Sequence, residues 1–285
     1  MVNFGKLLPF QKYYGKLYTN LTEGVIQMAY LDPFLAHGID IPPEDQEILN
    51  RWHETQPAPA GCAVPKLLSF EEFMEYSGFI EDCFRGFPGG ESVIFWDTDD
   101  ISAVVGYYYT GPLKGTVYML HGPTDISPKF FSLARFRDYY RRVLQNYPEP
   151  DREEKFWDDI DFNDNQPMTA EETERFHQAA RELMKLWKAE GLREDWYENM
   201  GFCVCAVLPD CYAEELIPFL TADEDEYVLE ALCHKLAKAK CTKAVPALGK
   251  LAEAEKNGLR IGGWSDSRTA RRTHGYLLQL ALEAK

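Results

Sequence analysis

A chain of 285 residues with 45% hydrophobic and 14% aromatic residues can fill one large or two ordinary cores, which excludes wholesale disorder. A formal net charge of −16 repels nucleic-acid phosphates and favours basic partners. The N-terminus lacks an apolar signal region and no window approaches about 18 consecutive apolar residues, so neither a signal peptide nor a membrane span is expected. The seven cysteines lack a secreted-domain spacing and read as reduced thiols of a cytoplasmic protein.

The first 60 residues predict helices. Leu21, Val25, Met28 and Ala29, with Leu31 just beyond, fall near helical spacing, and Pro42-Pro43 opens a second helix through Ile48, Leu49 and Trp52. Proline is tolerated at a helix start because the first N–H groups have no intrahelical partner. Residues 56–65 (QPAPAGCAVP) break the periodicity as an extended loop. Ser69, with Glu72 three residues on, predicts a capping box that opens a short helix through Phe73 and Met74.

Residues 84–92 (FRGFPGGES) lead into SVIFWDT and SAVVGYYYT, two β-forming runs, and TVYMLHG supplies a third. Between the last two lies Gly111-Pro112-Leu113-Lys114-Gly115, in which proline fixes φ and the glycines accept positive φ. Alternation puts Tyr107 and Tyr109 on one strand face and Tyr108 on the other; one face should be core and the other free to present an aromatic anchor. From Ser127-Pro128 the period becomes helical, with Phe131, Leu133, Phe136, Tyr139, Tyr140, Val143 and Leu144 on the apolar side.

Residues 148–167 are acidic and proline-punctuated, a candidate linker that Phe156, Trp157, Ile160 and Phe162 would dock onto a core. Met168-Thr169 caps a long helix ending near Gly191, and GFCVCAVLP (201–209) predicts a short strand. Leu216-Ile217-Pro218-Phe219-Leu220 recurs as Ala244-Val245-Pro246-Ala247-Leu248, each copy followed by a further helix. That pattern suggests stacked helix pairs of the HEAT type, with a plain helical bundle as the alternative. The expected organisation is an α+β domain over residues 1–150, a small mainly antiparallel sheet packed on helices, followed by a helical region over residues 151–285.

Charge is unevenly spread. Residues 1–150 hold 19 acids against 12 bases, 151–200 hold 15 against 7, 201–230 hold 8 against none, and 231–285 hold 4 against 11. The solvent-facing acids Asp158, Asp159, Asp161 and Asp164, and the run Asp223, Glu224, Asp225 and Glu226, are the candidate partner-binding residues, with Tyr108 as a candidate aromatic contact. Lys250, Arg260, Arg268, Arg271 and Arg272 cluster near Gly262-Gly263-Trp264. A phosphate-binding patch is one reading of them, and a contact with the acidic 151–230 segment is the preferred one.

Catalytic and metal constellations are weak. Cys203, Cys205, Cys211, Cys233, His234 and Cys241 lack the repeated two-to-four-residue spacing of a zinc site. The stretch from Asp158 to Asn165 lacks the glycine and terminal glutamate of a calcium loop. Asp97, Asp99 and His121 at strand ends offer acid–base groups for a hydrolase, but no nucleophile or oxyanion device accompanies them. Neither a cofactor nor catalytic or metal-binding residues are expected.

Trp96-Asp97, the Gly111–Gly115 turn with Thr116-Val117, and the SPxFxSxxxF pattern from Ser127 to Phe136 resemble the SUKH superfamily, which includes the yeast cell-wall-assembly regulators, Syd-like proteins and many bacterial immunity proteins. The resemblance covers about residues 65–147; the C-terminal helical region departs from a minimal domain of that family. It implies an α+β fold without catalytic activity and a cognate toxin, possibly a nuclease, as the partner. A regulatory scaffold with several cellular partners, as in the eukaryotic branch, is the alternative.

Overall fold

The computed structural model describes residues 29–55, 65–75, 86–97, 103–121, 125–148, 156, 166–189, 192–261 and 269–283. It is an α+β fold. Five antiparallel strands form a meander in the order β1-β2-β3-β4-β5: Lys66–Leu67, Ser92–Asp97, Ala103–Tyr108, Val117–His121 and Pro128–Phe130. The helices are α1 (Asp32–Ala36), α2 (Pro43–Thr55), α3 (Leu133–Asn146), α4 (Ala170–Trp187), α5 (Glu194–Val207), α6 (Glu226–Lys238), α7 (Val245–Lys256) and α8 (Thr269–Glu283), with a further helical turn over residues 70–75. The predicted helix at Leu21 to Met28 lies outside the described residues.

Every residue of β3 is buried. Period-two alternation therefore feeds two cores. Val105, Tyr107, Val117 and Met119 enter one, shared with Phe34, Leu49 and Trp52 of the N-terminal helices and Phe136 and Val143 of α3. Val104, Tyr108, Tyr118 and Leu120 enter the other, which runs on through Phe176 and Leu183 of α4, Met200 and Val204 of α5, and the helices behind them. Residues on both sides of position 150 thus share one apolar mass.

A bulge corrects the aim of β2. Ile94 pairs with Gly106 and Trp96 with Val105, leaving Phe95 as the extra residue. Phe95 and Trp96 consequently both enter the first core, where the Trp96 ring lies 5.0 Å from Trp52 and 4.9 Å from Phe136. Gly106 faces the second core opposite Tyr118, and a Cβ at that position would sit 2.0–2.3 Å from the Tyr118 ring and hydroxyl. Glycine is required here because the tyrosine ring occupies the space a side chain would need.

The predicted Ser69–Glu72 capping box is formed, and the predicted cap at Thr169 proves to be a second box. Ser69 and Glu72 bond reciprocally at 2.8 and 3.2 Å, and Thr169 with Glu172 does the same at the start of α4. Three expectations change. The helix after the hairpin does not begin at Ser127-Pro128: residues 128–130 pair with β4 as an edge strand, where a proline's missing N–H is tolerated, and Ser132 supplies the cap. GFCVCAVLP is not a strand; all but its last two residues form the C-terminal half of α5, which is apolar because it is buried rather than because it is extended.

The two repeat copies also differ in structure. Pro218 falls near the end of a 3-10 segment, Asp210–Phe219, whereas Pro246 sits in the first turn of α7. In the helical region α4 packs on α5, α5 on α6, α6 on α8 and α8 on α7. The α7–α8 junction is held by Glu255, whose buried carboxylate accepts the backbone N–H groups of Ala270 and Arg271, each at 3.0 Å. A carboxylate from one helix thus satisfies the first-turn donors of another, and its charge is favoured at that end of the helix dipole.

Gly106→Ala should lower unfolding stability by about 1–3 kcal/mol, because the added methyl has to displace the Tyr118 ring from a packed core. Urea denaturation reads the loss, and combining it with Tyr118→Leu should return part of it; equal losses with and without the second change would contradict the clash.

Candidate partner-binding surfaces

The acidic run after residue 209 is built on the 3-10 segment and the start of α6. Asp210 pairs with Lys235 at 2.8 Å, Glu214 with Lys243, and Glu215 with His177 at 2.7 Å and Arg181 at 3.2 Å. The His177 ring stacks on Tyr212, with centroids 3.5 Å apart. Asp210 and Glu214 keep about half of their side-chain surface exposed (47% and 49%); the largely buried Lys235 holds Asp210 from behind, whereas Lys243 is itself exposed and leaves Glu214 a loose surface pair.

The run Asp223–Glu226 is not the free, solvent-facing array expected of it. Glu224 has only 3% of its side chain exposed and meets Lys188 at 3.2 Å and the Tyr197 hydroxyl at 3.1 Å. Burial disfavours the charge on Lys188, but bonds to Tyr197 and Glu224 outweigh it and hold the ammonium above its ordinary pKa. Asp225 is the N-cap of α6, accepting from the N–H groups of Tyr227 and Val228 at 2.9 and 3.0 Å. Glu226 lies 3.7 Å from Arg260. Asp223 is exposed, as are Glu171, Glu174 and Glu182 on α4, which sequence reasoning did not single out. Asp158, Asp159, Asp161 and Asp164 lie outside the described residues.

The basic cluster is likewise absorbed in part. Arg260 reaches Glu226, in keeping with a contact to the acidic segment, and Arg271 reaches Glu255 at 3.3 Å. Arg268 and Trp264 lie outside the described residues.

Tyr108 is not a surface anchor. It is 1% exposed, packs on Tyr118, and donates its hydroxyl to the Ile126 carbonyl at 2.9 Å. Tyr107 is buried on the opposite face, so both faces of β3 are core; Tyr109, just past the strand, is half-buried and donates its hydroxyl to Glu91 at 3.1 Å. Asp97 is 1% exposed within β2, Asp99 lies outside the described residues, and of the hydrolase trio only the strand position of His121, paired with Ala103, is described beside it. Cys203, Cys205 and Cys233 are buried in helices, where desolvation raises their thiol pKa values, those of Cys205 and Cys233 to about 12. Among the described residues, no three His, Cys, Asp or Glu side chains come together as a group able to hold a metal ion. No helix among them is long and apolar enough to cross a membrane.

Two concavities flank α2. The first, about 470 Å³, lies between the start of α2, the Gly111–Gly115 turn, Ser132 and Arg175 of α4. Gly111 and Gly115 adopt φ of 69° and 84°, and Gly111 abuts the backbone of Gly89 and Gly90, which fixes the turn against the lead into β2. Lys114 pairs with Asp40 at 2.5 Å, and its carbonyl accepts from Arg175, tying α4 to the turn. Asp45 lines this cleft, 8% exposed, and accepts the Tyr107 hydroxyl at 2.6 Å. Burial raises the Asp45 pKa above the ordinary carboxylate value, with the Tyr107 bond opposing it. The second concavity lies between α2 and α3, lined by Trp52 and Tyr140 together with Arg51, Arg137 and Arg141. Sequence reasoning followed only the apolar faces of these helices, so the arginines went unread. The Glu47–Arg51 spacing was the available signal.

The chain matches no protein-family model, no curated protein and no solved structure.

Because Asp45 binds its proton more tightly in the folded chain than in the unfolded one, its ionisation lowers stability as pH rises from the ordinary carboxylate pKa, about 4, through the raised folded value. Asp45→Asn keeps an acceptor for Tyr107 and removes the ionisation. The stability difference in favour of the asparagine chain should therefore grow as pH rises across that window, measured as urea midpoints; parallel pH profiles would show that Asp45 carries no such linkage.

Proposed function

We propose that the chain is a non-catalytic binding protein of the SUKH immunity type, which acts in the cytoplasm by covering the basic surface of a cognate toxin. A nuclease fits the charge best, because its substrate-binding face must itself attract phosphate. The observation that carries this reading is the acidic ridge over the 3-10 segment: Asp210 and Glu214 are half exposed, and Asp210 is pinned by the largely buried Lys235, so a partner meets accessible carboxylates of which Asp210 needs little further ordering.

The residues behind the family resemblance support the same reading. The Gly111–Gly115 turn closes β3 onto β4, and Ser127 to Phe136 supplies the edge strand and the Ser132 cap of α3. These residues build a scaffold, which leaves recognition to the surfaces around it.

Co-expression with the toxin encoded beside its gene should protect cells and yield a complex whose association slows with added salt. Replacing Asp210, Glu214 and Asp223 together by lysine should slow that association by about tenfold or more at low ionic strength. Absence of protection would sink the immunity reading; protection with salt-independent association would remove the ridge from it.

A further inference from the structure

The layer of helices on the opposite side of the sheet from the acidic ridge carries a surface of opposite sign. Between α2 and α3 lies an open groove of about 360 Å³. Its floor is apolar, formed by Ile48, Trp52, Tyr140 and Leu144, and Arg51, Arg137 and Arg141 stand along it. Glu47 is the one acid among the residues that line it.

In a chain of net charge −16, three guanidinium groups along one apolar strip invert the prevailing field. Their present partners are weak ones. Arg51 meets Glu47 at 2.5 Å with both side chains largely exposed, and Arg137 meets its neighbour Asp138 at 2.9 Å. Exposed pairs of this kind contribute little and exchange readily. Arg141 is exposed and forms no ion pair with a described residue.

We propose that this groove docks an acidic amphipathic segment of a partner protein. A groove between two helices accepts a third helix whose apolar side chains lie on the floor. Trp, Tyr and Arg are the residue types that dominate binding energy at protein interfaces, and the planar guanidinium fork matches a carboxylate in two parallel hydrogen bonds. An acidic helix presenting leucine or phenylalanine at helical spacing would thus meet Trp52 and Tyr140 with its apolar edge and the three arginines with its carboxylates. The groove shares no residue with the acidic ridge, so either assignment can fail while the other stands.

The test is fluorescence anisotropy on the full chain with a labelled peptide of about 15 residues, leucines at helical spacing and glutamates between them. A counterpart with lysine in place of every glutamate serves as the control. The acidic peptide should bind with a Kd of about 10 μM or tighter and weaken with salt, while the lysine peptide should not bind. Arg51→Glu with Arg141→Glu should weaken the acidic peptide at least about tenfold and admit the lysine peptide, with an unchanged urea midpoint certifying the fold. Should that pair unfold the chain, Arg141→Gln alone, at an exposed position, should still weaken binding severalfold. The proposal is overturned if the wild-type chain ignores the acidic peptide, if these changes leave binding intact, or if a single-stranded oligonucleotide displaces the peptide and binds tighter.

Discussion

The constraint on which the rest of the structure depends is that the central strand has no wet face. All six residues of β3 are buried, with Tyr107 at 0% and Tyr108 at 1% exposure pointing opposite ways. An antiparallel sheet usually keeps one face in water, and a sheet that does not must be covered twice. The N-terminal helices and α3 cover one side, and α4 and α5 begin the cover of the other. The helical region is therefore part of what makes this sheet possible, since without it Val104, Tyr108, Tyr118 and Leu120 would face solvent.

Aromatic packing alone would leave such a sandwich with buried hydroxyls. Tyr118 meets Ser92 within the sheet at 3.1 Å, and the four other buried tyrosines each use the hydroxyl to fasten another segment. Tyr107 reaches Asp45 on α2, Tyr108 the Ile126 carbonyl, Tyr139 the Phe156 carbonyl and Tyr140 the Pro65 carbonyl. Each bond is worth only about 1 kcal/mol net, but an unsatisfied hydroxyl in the same place would cost more. The consequence is positional: loops and helix ends are tied to the core at fixed points, one of them Asp45 on α2.

This arrangement explains what was legible in the sequence. Strand runs, the Gly111–Gly115 turn, the Ser69–Glu72 capping box and the Thr169 cap depend on neighbours a few residues away, so residue type and spacing suffice to place them. Burial on both faces is a property of elements far apart in the chain, such as Tyr107 and Asp45 with a separation of 62, and no local pattern carries it. The same reason explains the misread stretch at 201–209. A short continuous apolar run fits a buried strand and a buried helix equally, and only its packing against α4 and α6 decides between them. Of the candidate site, acidity was legible but its deployment was only partly so: Asp225 just ahead of a helical run is a local N-cap signal, whereas nothing local reveals that Glu224 faces Lys188.

The pairing of these acids changes what acidity can do. A carboxylate with a cation about 3 Å behind it presents a dipole to a distant partner, and the field of a dipole decays faster than that of a charge. Long-range attraction of a basic partner would then fall to acids that are exposed and less closely compensated, such as Asp223 and the α4 glutamates Glu171 and Glu182. A pinned carboxylate such as Asp210 is suited to contact, where a fixed position matters more than net charge. On the proposed reading, encounter and fit would fall to different acids, and the arginines of the α2–α3 groove lie on the other side of the sheet from the 3-10 segment, where they would not cancel its attraction.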